Sequence, residues 1–176
     1  MSVLSDKDII KRLGENITDG SILISDLELD DVQPSSVDLH LGNEIKNIHG
    51  ELICDLDKEE YYILEPNEFL LASTSEYIGV PVDLVGLVDG KSSLGRVGVT
   101  AHITAGWIDS GFMGNVTLEI TNVSSEPFRL HKNMSICQII FLTLTSPVEL
   151  PYGHEDRNNH YQNSVGTVPS KYYDSV

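Results

Sequence analysis

The densest group of side chains suited to chemistry is DGKSSLGRVGV, residues 89–99. Lys91, Ser92, Ser93 and Arg96 place donors within six residues of chain. Gly90 and Gly95 let backbone N–H groups come close to a ligand. Cations among small hydroxyls and glycines make a phosphate cradle, although the GxxxxGK[ST] spacing of a P-loop is absent. The same residues also read as a turn into a short helix with serine caps. A second stretch, TAHITAGWIDSGFMGNVTLEITN at 100–122, holds Asp109 in a glycine-containing turn and Glu119 in a strand pattern. In VTLEI, Glu119 and Thr117 share one face, and Leu118 and Ile120 take the other. Residue types alone make the Glu119 face a wet one and Asp109 a turn residue capping its own loop.

Zinc chemistry is not expected. His49-Gly50-Glu51 matches half of the zinc nucleoside deaminase signature, but the P-C-x-x-C half is missing and Cys54 and Cys137 cannot supply it. HEDRNNH at 154–160 lacks the i, i+4 histidine spacing of a zinc protease. Cys137 lies in an apolar run and reads as core. Two cysteines exclude a disulfide scaffold and suit a reducing compartment.

These residues must be positioned by strands. SVDLHLG alternates Val37, Leu39 and Leu41 against Asp38 and His40. YYIL, EFLLAST, LVGLV, VGVTAHI, NVTLEI, PFRL and ICQIIFLTL read as further strands, separated by Gly, Pro, Asn and Ser clusters. Residues 5–13 read as a short helix capped by Ser5, with Ile9, Ile10 and Leu13 on one face and Gly14 as its stop. The expectation is an all-β sandwich or partly closed barrel with a short N-terminal helix, one domain over 1–176. From Leu150 the pattern dissolves into a tail carrying Tyr152, Tyr161, Tyr172 and Tyr173. It reads equally as a frayed end or as a segment that folds over a ligand or a neighbouring subunit.

Composition narrows the partners. The 176 residues contain 11 Lys and Arg against 27 Asp and Glu, a net charge of −16. Such a surface repels phosphate backbones and anionic lipid, so neither nucleic acid nor membrane is expected as a partner. The N-terminus has no signal-peptide core, and the longest apolar run, near ICQIIFLTL, is about half a membrane span. A soluble, cytoplasmic protein is expected. The acidity would also suit a cytoplasm rich in salt.

Taken in order, GKSSLGR, TAGWIDSGF, GNVTLEITN, SICQIIF and SPVELPYG resemble the dCTP deaminase family of the trimeric dUTPase superfamily. The similarity runs from QPSSVDLHLG to the tail. It implies a distorted β-barrel or jelly-roll subunit in a homotrimer, with active sites between subunits and dCTP bound with Mg²⁺ on its triphosphate. Glu119 would move protons while water attacks C4 of cytosine. Ser92, Arg96 and the backbone at Ala105 would hold water and base. The whole loop Lys91, Ser92, Ser93, Leu94, Gly95 and Arg96 would bind nucleotide. Lys91 and Gln138 would meet phosphate, Asp109 the sugar and a water, Thr117 and Leu118 the nucleoside, and Tyr152 would be a tail contact.

Gly106-Trp107 resembles the bifunctional, dUMP-forming type, where an His-Arg pair would mark the monofunctional one. On that reading Gly106 leaves room for a second water beside the α-phosphate, oriented by Asp109. The tail departs from the family's KYQGQ: here it is HYQNS, with His160 for the lysine and Ser164 for the glutamine. Histidine carries no fixed charge at neutral pH, so this bears on triphosphate binding. A deaminase that releases dUTP, a plain dUTPase and an idle nucleotide-binding protein stay open beside the bifunctional enzyme. The family resemblance also implies dTTP as a possible inhibitor.

Overall fold

A computed structural model describes residues 2–104 and 106–172. In chain order its elements are α1 (Asp6–Arg12), β1 (Leu23–Ile24), β2 (Val32–Gln33), β3 (Ser36–His40), β4 (Glu44–Lys46), β5 (Leu52–Asp55), β6 (Tyr62–Leu64), β7 (Phe69–Gly79), β8 (Leu84–Gly90), α2 (Ser92–Gly95), β9 (Val99–Thr100), β10 (Trp107–Ile108), β11 (Met113–Asn122), β12 (Phe128–Leu130) and β13 (Ser135–Thr143). One sheet runs β5-β4-β7-β11-β9, with β1 added on β7; the other runs β10-β8-β13-β3-β2. β12 and β6 form a separate ribbon, and every pairing of named strands is antiparallel. Many short strands divided by turn residues form the expected all-β package, and its two antiparallel sheets fit the distorted barrel or jelly-roll that the family resemblance implies.

The core follows from strict alternation. Val37 and Leu39 of β3, Leu70 of β7, Leu118 and Ile120 of β11 and Phe141 of β13 are fully buried. Each such side chain contributes about 1.5–3 kcal/mol by leaving water. The two sheets are also tied by a polar link. The β13–β3 ladder shifts register between Ser135 and Cys137. There Glu76 of β7, buried itself, accepts the His40 backbone N–H at 3.0 Å and pairs with His40 Nδ1 at 2.7 Å.

The helix differs slightly from expectation. Ser5 does cap it, accepting the Asp8 N–H, but it ends at Arg12, one residue before the expected Leu13. Leu13 turns extended because it bridges to Ile22, and the Ile22 N–H donates to the Arg12 carbonyl at 2.6 Å. Ile9 is buried, whereas Ile10 is exposed. Arg12 grips Asp83 through two hydrogen bonds of 3.0 and 2.8 Å, and so fastens α1 to the strand layer. VGVTAHI is a strand only at Val99–Thr100. Gly98, at φ 81°, turns the chain out of α2, and the segment bends again after Thr100.

Through Tyr172 the tail is neither frayed nor thrown outward. Asn163 N–H donates to Met113 O at 2.7 Å, and Asn115 N–H donates to Ser164 O at 2.9 Å, a parallel bridge onto β11. Further on, Thr167 is buried and donates to Glu44 O at 3.0 Å. Gly114 permits this approach, because a Cβ there would lie 3.0 Å from the Ser164 nitrogen. Tyr152 packs edge-on against Phe112 at 5.7 Å and accepts the Tyr161 N–H, and Tyr161 in turn accepts that of Lys171. Tyr173 lies outside the described residues. No described helix is long and apolar enough to cross a membrane.

Candidate active site

Most of the residues singled out in the sequence line two cavities, and Trp107, Asp109 and Tyr152 also border a smaller one, about 220 Å³, beside Arg157. The first, about 610 Å³, opens on the outer face of β11 and contains Trp107, Asp109, Thr117, Glu119, Tyr152 and Ser164. β11 alternates without a break, so Leu118 and Ile120 enter the core and Thr117 and Glu119 face the cavity. The ladder with β7 shifts register between Asn115 and Thr117, with the extra residues on β7, so the alternation of β11 itself is kept. Asn115 fastens the shift by donating to the carbonyls of Thr74, Ser75 and Glu76 at 2.9–3.2 Å. One Glu119 oxygen accepts the Ile103 N–H at 3.1 Å, so the carboxylate is oriented by the bent segment that follows β9. Asp109 stands in a turn closed by Phe112 N–H to Asp109 O at 3.1 Å. Its neighbour Ser110 is buried and donates to Leu84 O, which anchors the turn while Asp109 stays accessible.

The second cavity is built from β3, β8, β13 and the α2 loop. It is lined by Lys91, Ser92, Gly95 and Gln138, and also by Ser36, Asp38, Asp89, Thr100 and His102. Lys91 pairs with Asp38. Gln138 accepts from the Ser36 hydroxyl at 2.8 Å and donates to Gly90 O at 3.3 Å. α2 exposes Ser92, Ser93 and Arg96 and buries Leu94. Thr100 Oγ1 and His102 Nδ1 are buried and make no hydrogen bond within the described residues.

One chain therefore does not bring the whole predicted set together. Glu119 and Asp109 line one cavity, and the Lys91 loop lines the other. The residues lining the Glu119 cavity include two carboxylates and, among the described residues, no Lys or Arg. Leu118 is fully buried and its side chain enters the core, away from the cavity. His160 is exposed on the tail, where its carbonyl accepts from Lys171 Nζ at 2.6 Å. Ala105 lies outside the described residues. Gly106 has a reason internal to the fold: a Cβ there would fall 2.4 Å from Val88 O and 3.1 Å from the His102 ring. The space where a Cβ of residue 106 would sit is thus filled by this chain's own atoms.

Sequence reasoning missed the apolar wall of the first cavity, notably Phe69, Leu71 and Phe112, which read simply as strand and core. It also passed over Ser36 and Asp38 in the second. The signal was there in SVDLHLG, whose alternation puts Ser36, Asp38 and His40 on one face. Cys137 is buried in β13 and burial pushes its thiol up; Cys54 is half-buried in β5 and is pushed the same way by burial, then by Glu59 and Asp55.

The family model of dCTP deaminase-like proteins matches residues 3–144. The dUMP-forming dCTP deaminase of Methanosphaera stadtmanae is 43% identical over 189 residues, spanning 97% of this chain and 94% of its own. That of Methanothermobacter thermautotrophicus is 46% identical over 179 residues, spanning 92% and 89%. Among solved structures, the 2'-deoxycytidine 5'-triphosphate deaminase of Agrobacterium tumefaciens superposes with a TM-score of 0.66 at 22% identity, over 81% of this chain. The match spans only 48% of that longer chain, and at this identity the likeness is one of fold.

Proposed function

The chain belongs to the dCTP deaminase-like family, and from that premise we propose that it deaminates dCTP and hydrolyses the resulting dUTP to dUMP and pyrophosphate. The observation that carries this reading is Glu119, an acid on the open face of β11, oriented by the Ile103 amide in one cavity with Asp109 and Trp107. A dUTPase has no use for an acid at that place. The product, dUMP, would supply dTMP synthesis.

In the first step a water oxygen bonds to C4 of cytosine and the C4–N4 bond breaks. Glu119 takes the proton from water and passes protons to the ring and to the departing ammonia. Ser92, Arg96 and the Ala105 backbone hold the water and the base, and the backbone of Thr117 and Leu118 lines the nucleoside. In the second step a water attacks the α-phosphorus and pyrophosphate leaves. Asp109 orients that water. The substrate enters as its Mg²⁺ complex, which neutralises charge on the triphosphate. Lys91 and Gln138 meet phosphate oxygens. The tail, through Tyr152, Tyr161 and Ser164, closes over the bound nucleotide, and His160 carries less charge toward it than a lysine would.

A triphosphate needs cations, and the Glu119 cavity has none of its own among the described lining residues. The Lys91 and Arg96 loop of a neighbouring copy supplies them in a homotrimer with shared sites. Among inhibitors, dTTP would compete for the same place. The protein works in the cytoplasm, where dCTP is found.

The test is product analysis. Pure protein is incubated with dCTP and Mg²⁺, and nucleotides are separated over time. dUMP and pyrophosphate are expected without accumulation of free dUTP. Accumulating dUTP would leave the deaminase and remove its second step. Untouched dCTP would remove the deaminase reading, and dUTP would be offered next.

A further inference from the structure

The strand beside the phosphate loop holds a residue with no role in the reading above. Ser36 opens β3, directly after the short turn that joins it to β2, and is only 5% exposed. Its hydroxyl donates to Gln138 Oε1 at 2.8 Å. The amide's orientation follows from its other partner. Gly90 O can only accept, so the nitrogen of Gln138 must face it, and the oxygen must face Ser36. The Gly90 contact is long, at 3.3 Å, so the Ser36 bond is the firmer of the two. Gln138 stands between Asp38 and Asp89, its direct neighbours on the two flanking strands. Lys91, one residue beyond Gly90, lines the same cavity.

We propose that Ser36 is a positioning residue for triphosphate: it keeps the Gln138 amide turned so that its NH₂ edge, not its carbonyl, is presented beside Lys91. The NH₂ group has two hydrogens; Gly90 O takes one and a phosphate oxygen takes the other. A flipped amide would present a carbonyl oxygen to an anion in a cavity that already contains Asp38 and Asp89. The inference rests on the reading of Gln138 as a phosphate contact.

The test is a cycle of four proteins: wild type, S36A, Q138A and the double variant. Their kcat and KM for dCTP are measured with Mg²⁺. S36A should raise KM about five- to tenfold, the size of one neutral hydrogen bond, and leave kcat within about twofold. S36T, which keeps the hydroxyl, should restore KM. The double variant should be no worse than Q138A alone, because Ser36 acts only through that amide. An unchanged KM in S36A, a loss confined to kcat, or losses that multiply in the double variant would each overturn the proposal. Should S36A fail to fold, S36C keeps most of the volume and only a weak donor, and a smaller rise in KM is expected. If wild type leaves dCTP untouched, the deaminase reading fails on its own. The same cycle is then read as Kd for Mg²⁺-dUTP by calorimetry, where equal Kd values for wild type and S36A overturn the role of Ser36. Absence of binding by wild type would remove both.

Discussion

Glu119 receives the Ile103 amide on one oxygen, and among the described residues the other accepts no hydrogen bond. Replacing it by glutamine keeps the shape and removes the proton carrier. E119Q should therefore lose ammonia release by at least ~10²–10³ while nucleotide still binds with a similar Kd. A coupled ammonia assay beside calorimetry checks this, and wild-type turnover in the variant would sink the proposed mechanism. The Arg12–Asp83 pair is a different residue-scale case, since it stabilises without touching chemistry. The Arg12 hydrogen bond is the main cause that holds the Asp83 carboxyl below its ordinary range. A carboxyl depressed in the folded state adds stability above its unfolded pKa of ~3.9, and that stability drains away as pH falls through the lower folded value. Both side chains are about a third exposed, so the pair is worth only about 0.5–1 kcal/mol after solvent screening. D83N should lower the urea midpoint at pH 7 and converge with wild type in strong acid. A difference that persists unchanged at pH 2 would assign the effect to packing.

Among the elements, β10 depends on a position with no side chain. The Val88 N–H donates to Gly106 O at 2.6 Å, and a Cβ at 106 would press into Val88 O. G106A should therefore disturb the β8–β10 pairing, lower the melting temperature by several degrees and reduce both catalytic steps together. If instead deamination survives intact and only dUTP hydrolysis is lost, the space beside Gly106 serves a water after all. The same region marks how far the elements were legible in the sequence. β11 reads plainly because one face is core and the other is cavity, so polar and apolar residues alternate over its length. VGVTAHI has the same apparent alternation and yet is strand only at two residues. A left-handed Gly98 starts it, and its later part bends so that the Ile103 amide can reach Glu119. Local pattern cannot foresee a bend whose cause is a partner 16 residues on. β1, β2 and β9 are two residues each, too short to show a period. The candidate site was legible as residue types in order, through Lys91, Asp109, Glu119 and Gln138, each of which lines a cavity. Its division between two cavities was not, because spacing along a chain does not say which face of a sheet package each strand end opens on.

That division sets the question for the whole molecule. Glu119 and the Lys91–Arg96 loop stand at separate cavities of one chain, and a single dCTP must meet both the acid and the cations. The proposed ring of identical subunits would resolve this, with each site taking its acid from one copy and its cations from the next. The idea predicts complementation between two dead variants. E119Q lacks the acid and R96A lacks a cation, so neither should turn over dCTP alone. When the two are unfolded together and refolded at equal amounts, an acid-bearing subunit meets a cation-bearing neighbour by chance. About one quarter of the sites in random trimers would then carry both intact groups, and activity should return to that fraction of wild type. Sites confined within single subunits would give no recovery at any ratio. Each chain carries a charge of −16, so assembly works against repulsion and the refolding is best done in salt, which screens it. Recovery that climbs with the mixing ratio to a maximum at equal amounts would identify the shared site. A flat line at zero, with trimers present by light scattering, would place every functional group of a site in one chain and require the tail or the 101–106 segment to move.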